Sequence, residues 1–182
     1  MSDAPHASPT ISDLQTPDLQ SLGLRPLRAS DLPFIERLDE RVFGPGRFTR
    51  TAYRLREGIA PDFNLSFVAH VGTLLIGANM MTPAKCGDAD LLLLGPLTVE
   101  PAFRSRGIGE ALALKSLEAA RDAGHGVVVL VGDLPYYDRL GFKPAPMGRI
   151  TLPGPVDPSR LLYAELKPGA FAALQGKIGR AF

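Results

Sequence analysis

Leu97-Thr98-Val99-Glu100-Pro101-Ala102-Phe103-Arg104-Ser105-Arg106-Gly107-Ile108-Gly109 leads from an apolar run, through a glycine turn, into an alanine- and leucine-rich helical stretch. The turn has the form Arg-x-x-Gly-x-Gly. At the start of a helix the first backbone N–H groups lack intrahelical acceptors and the helix dipole is positive, so an anion can be held there. Glycine lets the backbone approach that anion closely. Arg104 and Arg106 add charge to the rim, which points to a diphosphate rather than a lone carboxylate. No Gly-Lys-Ser or Gly-Lys-Thr follows, so this is not a nucleotide-hydrolysing phosphate loop. The three-glycine dinucleotide pattern with its downstream acidic residue is absent too.

Upstream, residues 91–99 form an apolar strand interrupted by Gly95-Pro96. Proline cannot donate to a ladder, so pairing should break there with a bulge. Beyond the break, the backbone groups of Leu97 and Val99 face one strand edge, free to pair with an amide-bearing arm or to hold a developing oxyanion. Downstream, the apolar spacing predicts a helix over about 107–123, closed by Gly124-His125-Gly126. Val127 to Val131 then reads as a buried strand parallel to the first, which a helical crossover requires. A short helix is expected over 135–140 and a last strand over 161–166.

On the amino-terminal side, Leu24-Arg25-Pro26-Leu27-Arg28 suits a short strand, and Ser30 or Asp31 can cap a helix carrying Phe34, Ile35, Leu38, Val42 and Phe43. A short helix at 51–57 and a hairpin of strands at 65–71 and 74–81 around Gly72-Thr73 follow. Residues 1–23 are polar and proline-containing and read as a flexible tail; 24–182 read as one domain.

Lysine plus arginine number 20 against 19 aspartate plus glutamate, a net +1, so nothing general favours nucleic acid or an anionic membrane. The single cysteine, Cys86, rules out an internal disulfide and a cysteine-cluster metal site, which suits a cytoplasmic location. His6, His70 and His125 show no metal-ligand spacing, so no metal is expected. No terminal apolar run reaches the length of a membrane span.

The stretch 97–109 resembles the acetyl-CoA signature of the GNAT superfamily of N-acetyltransferases. A second segment, Gly132-Asp133-Leu134-Pro135-Tyr136-Tyr137-Asp138-Arg139-Leu140-Gly141-Phe142, is similar to that family's closing strand and helix. The paired tyrosines, with Phe43-Gly44-Pro45-Gly46-Arg47 and Ala164-Glu165-Leu166-Lys167-Pro168-Gly169, resemble the YhbS-like predicted bacterial acetyltransferases. The resemblance implies an α/β (α+β) fold: a mixed, mostly antiparallel central sheet splayed between two parallel strands and flanked by helices. It implies acetyl-CoA as co-substrate, held by Leu97, Thr98, Val99, Arg104, Ser105, Arg106, Gly107, Ile108, Gly109 and Glu110. It also implies that Tyr137, four residues before Gly141-Phe142, faces the CoA sulfur and is the catalytic acid.

Under that reading an amine attacks the thioester directly in a ternary complex, and the acceptor is a small-molecule primary amine. Acetylation of a protein lysine or N-terminus, or a non-catalytic acyl-CoA sensor, are the alternatives; a monomer or homodimer is expected. Asp88, Asp90, Glu100 and His70 are candidate bases by position, though each also reads as a solvated charge or strand-end residue. Cys86 has no histidine nearby in sequence, which argues against a covalent acetyl-enzyme. Arg41, Arg47, Arg50, Arg54 and Arg56 cluster where the acceptor should bind, which suits an acceptor carrying a carboxylate or phosphate, or simply a solvated helix face.

Overall fold

A computed structural model describes residues 21–181. Residues 1–20 of the expected tail lie outside the described residues. The chain runs β1 (Leu22–Pro26), α1 (Leu32–Phe43), α2 (Thr51–Arg56), β2 (Phe67–Val71), β3 (Leu74–Cys86), β4 (Ala89–Val99), α3 (Ile108–Asp122), β5 (Val127–Val131), α4 (Leu134–Tyr137), β6 (Lys143–Pro144), β7 (Ile150–Thr151), β8 (Leu161–Glu165) and β9 (Gly176–Arg180). β1 therefore opens two residues ahead of the boundary expected at Leu24.

The strands lie in the order β1-β2-β3-β4-β5-β8-β6, with β9 added to the far end of β3 and β7 paired to β9. Neighbours are antiparallel except for β4 with β5 and β7 with β9. The mixed, mostly antiparallel sheet that the resemblance implies is present, and α3 links its two parallel central strands.

The continuous leucine run of β4 is explained by burial on both faces. Leu92 and Leu94 pack with Met81, Leu117, Val128 and Phe142 beneath α3, while Leu91 and Leu93 pack with Val129, Tyr163 and Ile178 on the opposite face. α3 turns Leu112, Ala113, Ser116, Leu117 and Ala120 inward at helical spacing. α1 buries Ile35, Leu38 and Asp39, and ends at Gly44.

β3 runs five residues past the expected end, through Pro83. Along the edge opposite β4, pairing with β2 stops at Asn79 and pairing with β9 starts at Ala84. Position 83 lies in the gap, where a missing donor disrupts no ladder. β6, β7 and β9 were not anticipated. The first two have two residues each, and β9, Gly-Lys-Ile-Gly-Arg, buries only Ile178 and carries no sustained alternation.

The amino-terminal entrance to α1 is fixed by a charge pair. Arg25 donates to Asp31 through both terminal nitrogens, at 2.7 and 2.8 Å, and the Arg28 N–H donates to Asp31 at 2.8 Å. The bond from Arg25 and that from Arg28 hold the Asp31 carboxyl below the usual carboxylate range. A depressed folded pKa contributes stability above the ordinary carboxylate pKa and loses it as pH falls toward the folded value. Asp31→Asn is expected to cost about 1–2 kcal/mol at neutral pH, with the difference from wild type shrinking below about pH 4; urea unfolding at both pH values checks this.

Candidate active site

β4 and β5 pair only at Leu92 with Val128 and Leu93 with Val129. Beyond that point they part. The register of β4 against β3 shifts between Leu94 and Leu97, so Gly95-Pro96 forms the bulge that the proline demanded. The Glu100 N–H donates to Ile76 on β3. By the two-residue alternation of a strand, the amides of Leu97 and Val99 therefore face the opposite edge, toward β5. A cleft of about 750 Å³ opens at this divergence, with Leu94 to Leu97 and Val99 on one wall and Val131, Gly132 and Asp133 on the other.

Arg104 and Gly109 bring the glycine turn to the same cleft. Gly107 adopts φ 75°, in the left-handed region, and Ser105 adopts φ 60°. The first helical bond runs from the Ala111 N–H to the Gly107 oxygen. The amides of Ile108, Gly109 and Glu110 precede it and project from the positive end of a 15-residue helix. Arg104, Ser105, Arg106 and Gly107 are exposed, whereas the Ile108 side chain is buried in the core, leaving only its backbone to a ligand. Arg106 lies over the Phe103 ring, and Glu110 faces Arg139 at 3.7 Å.

Gly109 is a point of close approach. A Cβ there would lie 2.6 Å from the Tyr136 hydroxyl and 3.7 and 3.8 Å from Val99 and Leu97 side-chain carbons. The missing side chain leaves a passage between the helix end and the free edge of β4, which fits a cradle for a diphosphate-tethered arm.

Both tyrosines of α4 line the cleft. They meet edge to face at 4.9 Å, and Tyr137 packs in the same way on Phe142 at 5.7 Å. Burial pushes the Tyr137 phenol well above its usual range, with smaller contributions from Tyr136 and Asp133. Tyr136 is raised as well, also chiefly by burial.

The side of the cleft formed by α1 and α2 holds a buried polar cluster. Asp39 accepts from the Thr98 and Tyr53 hydroxyls. Burial raises its carboxyl, although those bonds and the nearby Arg56 and Arg47 oppose the shift. The Thr98 side chain is thus turned to α1, away from the free edge of β4. Arg56 stacks over the Tyr53 ring at 4.9 Å, and burial pushes its guanidinium down to about 10.

Asp39, Tyr53 and the distinct position of Arg56 were missed as a cluster in the sequence. The signal was available: Asp39 stands four residues after Ile35, so an acid occupies the buried stripe of α1. The four bases considered by position are elsewhere. Glu100 pairs with Arg41, Asp90 with Lys85 at 3.1 Å, and His70, on β2, contacts the Gly72 oxygen in the turn that follows. Asp88 lies in the turn between β3 and β4. Cys86 is buried, and burial raises its thiol.

Comparison with known proteins identifies the family that shares this fold. The profile of the acetyltransferase (GNAT) family matches residues 32–142. The chain belongs to that family. Escherichia coli strain K12 "Uncharacterized N-acetyltransferase YhbS" is 29% identical over 115 residues, spanning 62% of this chain and 68% of that protein. The crystal structure of E. coli YhbS in complex with CoA superposes with a TM-score of 0.75 at 23% identity, covering 97% of this chain and 93% of that one. A Brucella melitensis GNAT family acetyltransferase in complex with acetyl-CoA matches at TM-score 0.58 and 29% identity, over 82% of this chain and 97% of that one. Among the described residues of this acetyltransferase, no helix is long and apolar enough to cross a membrane. Among the same residues, no cluster of His, Cys, Asp or Glu could hold a metal ion.

Proposed function

We propose that this acetyltransferase binds acetyl-CoA in the cleft between β4 and β5 and passes the acetyl group directly to a primary amine of a small molecule. The observation that carries the reading is the convergence of three features on one cleft: the α3 amides, the free β4 edge and the Tyr137 phenol. Relatives named for CoA and acetyl-CoA complexes support the same choice of co-substrate.

Bound acetyl-CoA supplies a thioester whose carbonyl carbon an amine can attack. The amides of Ile108, Gly109 and Glu110, with Arg104, Ser105, Arg106 and the Gly107 turn, hold the diphosphate. Leu97 and Val99 offer N–H donors on the free edge, and Thr98 serves by fixing that strand to α1 through Asp39. As the nitrogen–carbon bond forms and the carbon–sulfur bond breaks, Tyr137 gives its proton to the departing sulfur, and the proton released by the amine leaves to solvent.

Four arginines, Arg50, Arg56, Arg104 and Arg160, and two aspartates, Asp133 and Asp157, line the cleft. That balance disfavours an acceptor set among further positive charges, as in a basic peptide, and favours a small amine that also carries an anionic group. The lone, buried Cys86 suits action in the cytoplasm. A panel of small amines, peptides and protein substrates, assayed for CoA release, tests the reading. Small amines are expected to be turned over; turnover confined to peptides or proteins would contradict it.

A further inference from the structure

The five arginines that cluster in the sequence have separate fates. Arg41 pairs with Glu100, Arg47 donates to the Gly44 oxygen, Arg54 is exposed, and Arg50 lies over Phe43 at the cleft mouth. Arg56 is different: it lines the cleft and also reaches the small apolar space behind it, among Leu55, Leu93 and Leu130. Its Nε is shielded from solvent and has no hydrogen-bond partner among the described residues. No salt bridge engages it there. The nearby carboxylate, Asp39, acts through space and is shared with Arg47. An arginine stays cationic at neutral pH, so one carboxylate is shared between two cations and a net positive charge remains where Arg56 lines the cleft.

The location of that charge limits what it can bind. The point where a Gly95 Cβ would stand lies 3.1 Å from Arg56 Nη1 and 3.6 Å from the Leu97 nitrogen. The guanidinium and the strand edge that faces the acetyl group thus border one small volume. A group held on Arg56 can present an amine to that edge only if a few bonds separate the two.

We propose that Arg56 is the specificity-determining anchor for an anionic group on the acceptor, so that the substrate is a small amine with a carboxylate or phosphate about one to three carbons from its nitrogen. This rests on the acetyl-transfer reading above. The guanidinium receives the anion through charge-assisted hydrogen bonds, and the Tyr53 ring supports it from one side at 4.9 Å.

The test compares matched acceptors in full-length protein: amino acids, the amides of the same amino acids, and aminoalkyl phosphonates, each assayed for CoA release. Wild type is expected to favour the anionic member over the amide by about 30-fold in kcat/KM, the worth of a hydrogen-bonded charge pair. The ranking of carboxylate against phosphonate identifies the anion. In Arg56→Gln the preference falls to about 3-fold or less, carried mainly by KM, and Arg56→Lys restores part of it. The affinity for acetyl-CoA, measured by calorimetry, stays within about 3-fold in both variants, which also reports that they are folded. Equal use of acids and amides by wild type, a preference that survives in Arg56→Gln, or loss of acetyl-CoA binding in both variants would overturn the proposal. Absence of CoA release with every small amine has another meaning, since it removes the acetyl-transfer reading itself.

Discussion

Replacing Tyr137 by Phe is expected to lower kcat about 100-fold or more while the acetyl-CoA Kd changes by less than about 3-fold. A positioned general acid is worth about two to four orders of magnitude, and removal of the hydroxyl leaves the ring and its edge contact with Phe142 in place. Burial raises the Tyr137 phenol, so the proton is present throughout the neutral range. A raised phenol is a weaker donor in water. The departing thiolate forms beside the same buried ring, though, and partial burial raises its proton affinity in the same sense, which narrows the mismatch. Pre-steady-state acetyl transfer separates this effect from product release. A Tyr137→Phe protein with unchanged kcat, or a Tyr136→Phe protein carrying the whole loss, would move the role off Tyr137.

Gly109→Val is expected to weaken acetyl-CoA binding about 100-fold, or about 2.7 kcal/mol, without unfolding the protein. A Cβ at this position already stands 2.6 Å from the Tyr136 hydroxyl, and the added methyl groups project toward Val99 and Leu97 across the passage between helix and strand. Valine also disfavours close approach of a ligand to the amides of the first turn. The fold should tolerate the change, because Gly109 sits in the first turn of α3 with a negative φ and valine costs little there. Gly109→Ala is expected to be milder, since the Tyr136 hydroxyl can yield. Calorimetry for affinity and thermal unfolding for stability distinguish a blocked cleft from a damaged fold.

How much of this was legible in the sequence depends on the range of the interactions involved. The strand, glycine turn and helix around 97–109 were readable because each is specified locally: Pro96 breaks pairing, Gly107 adopts the left-handed conformation, and the apolar spacing of α3 is helical. Val127 to Val131 was readable as a strand from five successive aliphatic residues, the first four of them buried between two layers. β9 was not, because Gly176–Arg180 becomes a strand only through its partners Ala84 to Cys86 and Ile150 to Thr151. The Asp39 cluster depends on Thr98, 59 positions away, meeting α1 across the sheet. The arginine cluster shows the same limit: five similar residues in one stretch are sorted by tertiary packing into surface charges, a loop contact and one cation at the cleft floor.

The most direct test of the central claim is calorimetric titration of acetyl-CoA into the folded wild-type protein. Saturable one-to-one binding with a Kd of about 1 µM to 1 mM is predicted, abolished or strongly weakened by Gly109→Val. A flat isotherm from protein that unfolds cooperatively would contradict the assignment of the cleft between β4 and β5 to acetyl-CoA.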